Sequence, residues 1–122
     1  MTLKSKTILV VEDDKDIVFS LHLLLEAKGY TIQSAANGLI ALEYLQTHGM
    51  PELILLDMKM PIMSGWDFSV EFSANYKKRC PVIVMTAAAD AKNRAKDINA
   101  TGWIEKPFIL KDLSDLVEAT LQ

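Results

Sequence analysis

Five times along the chain a short apolar run hands over to an amphipathic segment. That alternation limits the possible folds more than any single residue does. TILVV (7–11) is continuous, apolar and rich in β-branched residues, the pattern of a strand buried on both faces. Residues 14–28 follow, with Ile17, Val18, Leu21, Leu24 and Leu25 on one helical face and Gly29 placed to end the helix. YTIQSAA (30–36) is a weaker strand with polar residues interleaved. Asn37 can cap a helix over 38–47, with Leu39, Leu42 and Leu45 expected inward. Gly49 and Pro51 break the chain before a third strand, ELILLD (52–57). Pro61, Ser64 and Gly65 mark a loop ahead of a helix over 66–76. PVIVMT (81–86) is a fourth strand, and 90–100 is helical by propensity but poor in large apolar residues. TGWIEKPF (101–108) is a short fifth strand ending at Pro107. A last helix over 109–121 turns Leu113, Leu116, Val117 and Leu121 inward; Ile109 is a poor cap, so its start falls a residue or two later.

Short buried strands alternating with helices specify an α/β fold, a parallel sheet covered on both faces. Right-handed crossovers make it doubly wound. One domain of 122 residues holds the whole pattern, with no linker and no low-complexity stretch. At 50% hydrophobic residues it can bury a core without disulfides or a structural metal. Cys80 is the only cysteine, which excludes an internal disulfide; beside Pro81 at the edge of an apolar run it reads as a structural thiol, not a reactive one. A net charge of −3 gives no electrostatic case for direct nucleic-acid binding. No apolar run approaches the roughly 20 residues of a membrane span, and the apolar stretch after the basic start is too short for a signal peptide. The expectation is a soluble, cytoplasmic domain.

In such folds function collects at the carboxyl ends of the strands. After the first strand stand Glu12, Asp13 and Asp14; after the third, Asp57; after the fourth, Thr86; after the fifth, Lys106 and Pro107. Asp14 is best placed to cap the first helix. If strands one and three are neighbours, Glu12, Asp13 and Asp57 converge. Two unit charges about 4 Å apart repel by roughly 4 kcal/mol at an effective dielectric near 20. Such a set raises its own pKa values or recruits a cation. Hard oxygen ligands with room left for water and a phosphate oxygen favour Mg²⁺, with Asp13 and Asp57 as direct ligands and Glu12 acting through water. Lys106 reaching over the site offsets its negative charge, and the bond to Pro107 can be cis and so re-aim it. The Thr86 hydroxyl is placed to contact a bound anion, a weak signal alone because threonine is common in strands.

The segments ILVVEDD (8–14), LILLDMKMPIMSG (53–65), VIVMTA (82–87) and KPF (106–108) occur in order, each at a predicted strand. Together they resemble the receiver domain of bacterial response regulators. The resemblance runs from about Thr7 to Leu121, so one receiver domain is expected over 1–122. It implies a flavodoxin-like sheet in strand order 2-1-3-4-5 with five helices. It implies that Asp57 accepts a phosphoryl group from a sensor histidine kinase or a histidine phosphotransfer protein. Glu12 and Asp13 match the family's acidic pair for Mg²⁺, and the Lys59 backbone carbonyl matches a further ligand. Thr86 and Lys106 match the residues that grip the phosphoryl group; Pro61 and Gly65 match the loop that shapes the acceptor. The chain is then a phosphoacceptor, not an enzyme proper, assisting its own phosphorylation and autodephosphorylation. Thr86, Trp103 and Pro107 form the expected switch surface for a downstream protein. A monomer is expected, without direct nucleic-acid or membrane contact. With no output domain after Gln122, it acts by binding another protein or passing the phosphoryl group on, unless it is excised from a longer chain.

Three positions depart from or tune the family pattern. Trp103 stands where tyrosine or phenylalanine is usual; it either turns with Thr86 or simply faces a partner. Lys59 and Ala88 occupy positions that tune the lifetime of the mark, and Lys59 can pair with Glu12 or with the phosphoryl group. The weakly apolar segment 90–100 is expected as a mobile element, with Trp103 and Ile104 joining the last helix in a partner surface. Two other readings compete. A phosphorylation-independent interaction module is disfavoured by the intact acidic set. A phosphohydrolase using Asp57 as nucleophile wants a second aspartate two residues on, where Lys59 stands.

Overall fold

A computed structural model describes residues 5–87 and 91–122. The strands are β1 (Thr7–Val11), β2 (Thr31–Ala35), β3 (Leu53–Asp57), β4 (Val82–Ala87) and β5 (Gly102–Lys106). They alternate with helices α1 (Lys15–Ala27), α2 (Gly38–His48), α3 (Gly65–Asn75), α4 (Ala91–Asp97) and α5 (Leu110–Leu121). All strand pairs are parallel, in the order β2-β1-β3-β4-β5. The expected α/β sandwich and its strand order are therefore observed.

The residue pattern explains which strands lie inside. Every residue of β3 is buried, and four of the five in β1, as the continuous apolar runs require. β2 and β5 interleave exposed residues and lie at the two edges. Alternate side chains feed two cores. One face carries Leu9, Ile54, Leu56 and Val84 against Leu45, Phe68, Phe72 and Ala95 from α2, α3 and α4. The other carries Ile8, Val10, Leu55 and Met85 against Leu21 and Leu25 of α1 and Leu113 and Val117 of α5.

The helix starts follow local chemistry. The Asp14 carboxylate accepts from the Asp16 and Ile17 N–H groups, Asn37 from Ile40, and Ser64 from Asp67. Ile109 offers no side-chain bond, and α5 begins at Leu110, one residue later than the apolar pattern alone suggests. Gly29, at φ 95°, follows the end of α1.

Two packing expectations are overturned. Leu39 is 44% exposed, while Gly38, Ala41 and Leu45 form the inward face of α2. The Gly38 N–H donates to the Met63 carbonyl at 2.9 Å, and a Cβ on Gly38 would stand 2.7 Å from Met63 Cγ. This close approach turns the small residues inward and rotates Leu39 out. Ile104 and Trp103 do not share a surface: Ile104 packs into the core under α1 and α5, and Trp103 points from the other face, 42% exposed. Period-two alternation along a strand separates them.

Candidate functional site

The register brings the strand ends together. Val11 pairs with Leu56 and Asp57 with Met85, so the residues after β1 lie beside the end of β3. Thr86 pairs with Glu105 and Ala87 with Lys106, which brings the ends of β4 and β5 to the same edge. A cavity of about 750 Å³ opens there, lined among others by Glu12, Asp13, Asp57, Lys59, Thr86 and Lys106.

Three carboxylates converge as the sequence suggests. One oxygen from each of Glu12, Asp13 and Asp57 lies within 4.8 Å of the others. Glu12 and Asp57 are buried and Asp13 is exposed. Asp57 Oδ1 accepts from the Lys59 N–H at 3.4 Å, and Glu12 Oε2 from the Asp14 N–H at 3.1 Å. Lys106 Nζ donates to Glu12 Oε1 at 2.5 Å and stands 3.5 Å from Asp57 Oδ1. The Lys106–Pro107 bond is cis.

Burial pushes the Glu12 carboxyl up to about 7, against the opposing pull of Lys106 and the Asp14 N–H. Burial also raises Asp57, with Lys106 and the Lys59 N–H pulling the other way. One lysine does not compensate two buried carboxylates and a third at the rim. That unbalanced set of hard oxygens fits a divalent cation.

The other expected residues divide. Thr86 is 3% exposed at the end of β4. Pro107 is exposed and lines the cavity. The Gly65 N–H donates to the Met58 carbonyl at 3.0 Å, and a Cβ there would stand 2.6 Å from the Asp57 carbonyl oxygen. No side chain but hydrogen fits, so Gly65 lets the loop after Asp57 close up against the end of β3. Among the described residues Lys59 forms no ion pair with Glu12, which is taken by Lys106. Ala88 lies outside the described residues.

Sequence reasoning missed two things. It placed Lys106 over the site's charge in general, not on Glu12 in particular. It also missed the wall formed by Ile17, Ser20, Phe108 and Leu110. The signal for part of that wall was legible: Ile17 and Ser20 stand three apart on the helix that follows the acids.

The family model for the response regulator receiver domain matches residues 8–118. The chain belongs to this family. Among curated relatives, sporulation initiation phosphotransferase F of Bacillus subtilis is 34% identical over 119 residues, covering 96% of this chain and 94% of that protein. The transcriptional regulatory protein PdtaR of Mycobacterium tuberculosis is 34% identical over 116 residues, covering 93% of this chain and 55% of PdtaR. The chain thus spans about half the length of that relative. Among solved structures, chemotaxis protein CheY4 of Vibrio cholerae superposes with a TM-score of 0.82 at 30% identity, covering 97% of this chain and all of CheY4. The chain is a receiver domain of the two-component signalling type. Among the described residues no helix is long and apolar enough to cross a membrane.

Proposed function

We propose that Asp57 is the phosphoacceptor, taking its phosphoryl group from a phosphohistidine on a sensor histidine kinase or a phosphotransfer protein. One observation carries this reading. The Asp57 carboxylate ends the most buried strand, 3.5 Å from a lysine ammonium and within 4.8 Å of two further acids, at the mouth of a cavity.

The chemistry follows from the placement. An Asp57 carboxylate oxygen attacks phosphorus as the bond to the histidine nitrogen breaks, and the product is a mixed anhydride. The nucleophile must be ionised, and Lys106 favours that form. Lys106 also sits where it offsets charge on the transferred group. Glu12, Asp13, Asp57 and the Lys59 carbonyl would hold Mg²⁺, which supplies further charge neutralisation when bound. An acyl phosphate is open to water, so the mark is temporary and the domain assists its own reset. Lys59 lines the cavity, and its side chain tunes that lifetime.

Readout begins at Thr86. Its hydroxyl moves toward the new phosphoryl oxygens and draws the end of β4 with it, and Trp103 and Pro107 present the change to a downstream protein. One hydrogen bond to a charged group is worth roughly 1.5–3 kcal/mol. Inverting a 1:99 equilibrium takes about 5.5 kcal/mol. Lys106 and the bound partner supply the rest. The reading places the domain in the cytoplasm as a monomer, acting without nucleic-acid contact of its own.

The test is intact mass after incubation with phosphoramidate and Mg²⁺. Wild type gains one phosphoryl group and Asp57→Asn gains none. No gain in wild type, or an equal gain in the variant, refutes the assignment.

A further inference from the structure

Ile62 is at odds with both its backbone and its surroundings. Its φ is 69°, in the left-handed region where a β-branched side chain is an outlier. The Met63 N–H donates to the Pro61 carbonyl at 2.7 Å, closing a three-residue turn with Ile62 at its centre. A positive φ at that position makes it the rare, strained form of the γ-turn. The Ile62 side chain itself offsets none of the strain, because it is 81% exposed and supports no core.

The neighbours impose this geometry. Met60 and Met63 pack against the core beneath α2 and α3. The Met63 carbonyl accepts from Gly38, and the Met58 carbonyl from Gly65. The loop is fastened on both sides of the turn, so Ile62 projects as an exposed apolar side chain from a held backbone. It stands five residues beyond Asp57, at the carboxyl edge of the sheet. Asp57 is only 5% exposed, so a protein donor must press close to this edge to reach it. Strain held at a side chain that itself packs on nothing, in the loop that leaves Asp57, points to a use in recognition.

We infer that Ile62 is a specificity-determining contact for the protein that delivers the phosphoryl group, a rigid apolar knob that enters a hollow on a phosphohistidine-bearing partner. The inference rests on Asp57 being the acceptor. Because the turn already fixes the backbone and β-branching restricts χ1, little freedom is lost on contact. Burying an isoleucine side chain corresponds to roughly tenfold or more in affinity.

The experiment compares wild type with Ile62→Asn, Ile62→Gly and Ile62→Val. Asparagine and glycine accept a positive φ, and valine keeps the branched apolar shape. Each protein is presented with the autophosphorylated histidine kinases of its own genome, and separately with phosphoramidate and Mg²⁺. With the kinase that labels wild type, Ile62→Asn and Ile62→Gly raise KM about tenfold at unchanged kcat, and Ile62→Val stays within threefold. Labelling by phosphoramidate stays within twofold in all three. Ile62→Asn raises Tm by roughly 4 °C, since strain is relieved. Kinase transfer to Ile62→Asn within twofold of wild type overturns the inference, as does a lowered Tm. Labelling of wild type by phosphoramidate but by no kinase also overturns it and leaves the acceptor reading intact. Failure of phosphoramidate to label wild type removes the acceptor reading itself.

Discussion

Replacing Glu12 with glutamine turns the site's electrostatics into a stability measurement. Unfolded, the carboxyl titrates near 4.5; folded, burial pushes it up to about 7. Between these values the native state holds more protons than the unfolded chain. Stability contributed by the group is therefore complete below about 4.5 and is lost as pH rises toward about 7. At 1.36 kcal/mol per pH unit, the interval amounts to about 3 kcal/mol, part of it shared with Asp57, which is raised by the same burial. Glutamine keeps the shape and cannot titrate. It forfeits one acceptor, facing either the Lys106 ammonium or the Asp14 N–H, a pH-independent cost of about 1 kcal/mol. Glu12→Gln is thus expected to be the less stable protein at pH 4.5 and the more stable one above pH 7. Urea unfolding in EDTA across this range reads it directly. With m near 2 kcal/mol/M, the gap between the midpoints changes by about 1.5 M. Added Mg²⁺ binds the ionised acids, so at pH 8 it stabilises wild type more than the variant. A midpoint gap that stays constant from pH 4.5 to 8 refutes the reasoning, because burial of Glu12 would then have no protonation cost.

Other parts of the molecule give separate tests. Gly65→Ala puts a Cβ 2.6 Å from the Asp57 carbonyl oxygen, so the loop must shift; thermal melts should show a loss of about 1–3 kcal/mol, with phosphoramidate labelling slowed as well. The Cys80 thiol is pushed up to about 12 by burial, so iodoacetamide at pH 8 should alkylate it at least tenfold more slowly in the native protein than in urea, read by mass. In a Trp66→Phe background, Trp103 emission should shift when phosphoramidate and Mg²⁺ are added, and unchanged emission removes Trp103 from the switch.

The chain announced its architecture because the strands that lie inside are continuous apolar runs. TILVV and LILLD admit few placements other than the middle of a covered sheet. The site was legible for the same reason: strands of known direction deliver Glu12, Asp57, Thr86 and Lys106 to one edge. What stayed hidden depends on distances a sequence does not carry. Leu39 looks like a core residue until the contact between Gly38 and Met63 fixes the rotation of α2. Lys106 has acidic neighbours on two strands, and only the fold shows that Glu12 holds it more tightly than Asp57. Ile62 carries no sequence signal of its own, since its backbone angle is set by residues on either side.

The complete burial of β3 has a consequence for time as well as position. Its backbone is paired on both sides, with β1 and β4, and is sealed by two cores. Amides in such a segment exchange with solvent only when the whole molecule opens. The edge strand β5, half-covered and paired on one side, belongs to the easily opened part. On the proposed assignment, the residue that would be written on sits in the slowest-breathing strand, and the surface proposed to be read sits in one of the fastest. A mark stored on the rigid element can then persist through many openings of the element that displays it.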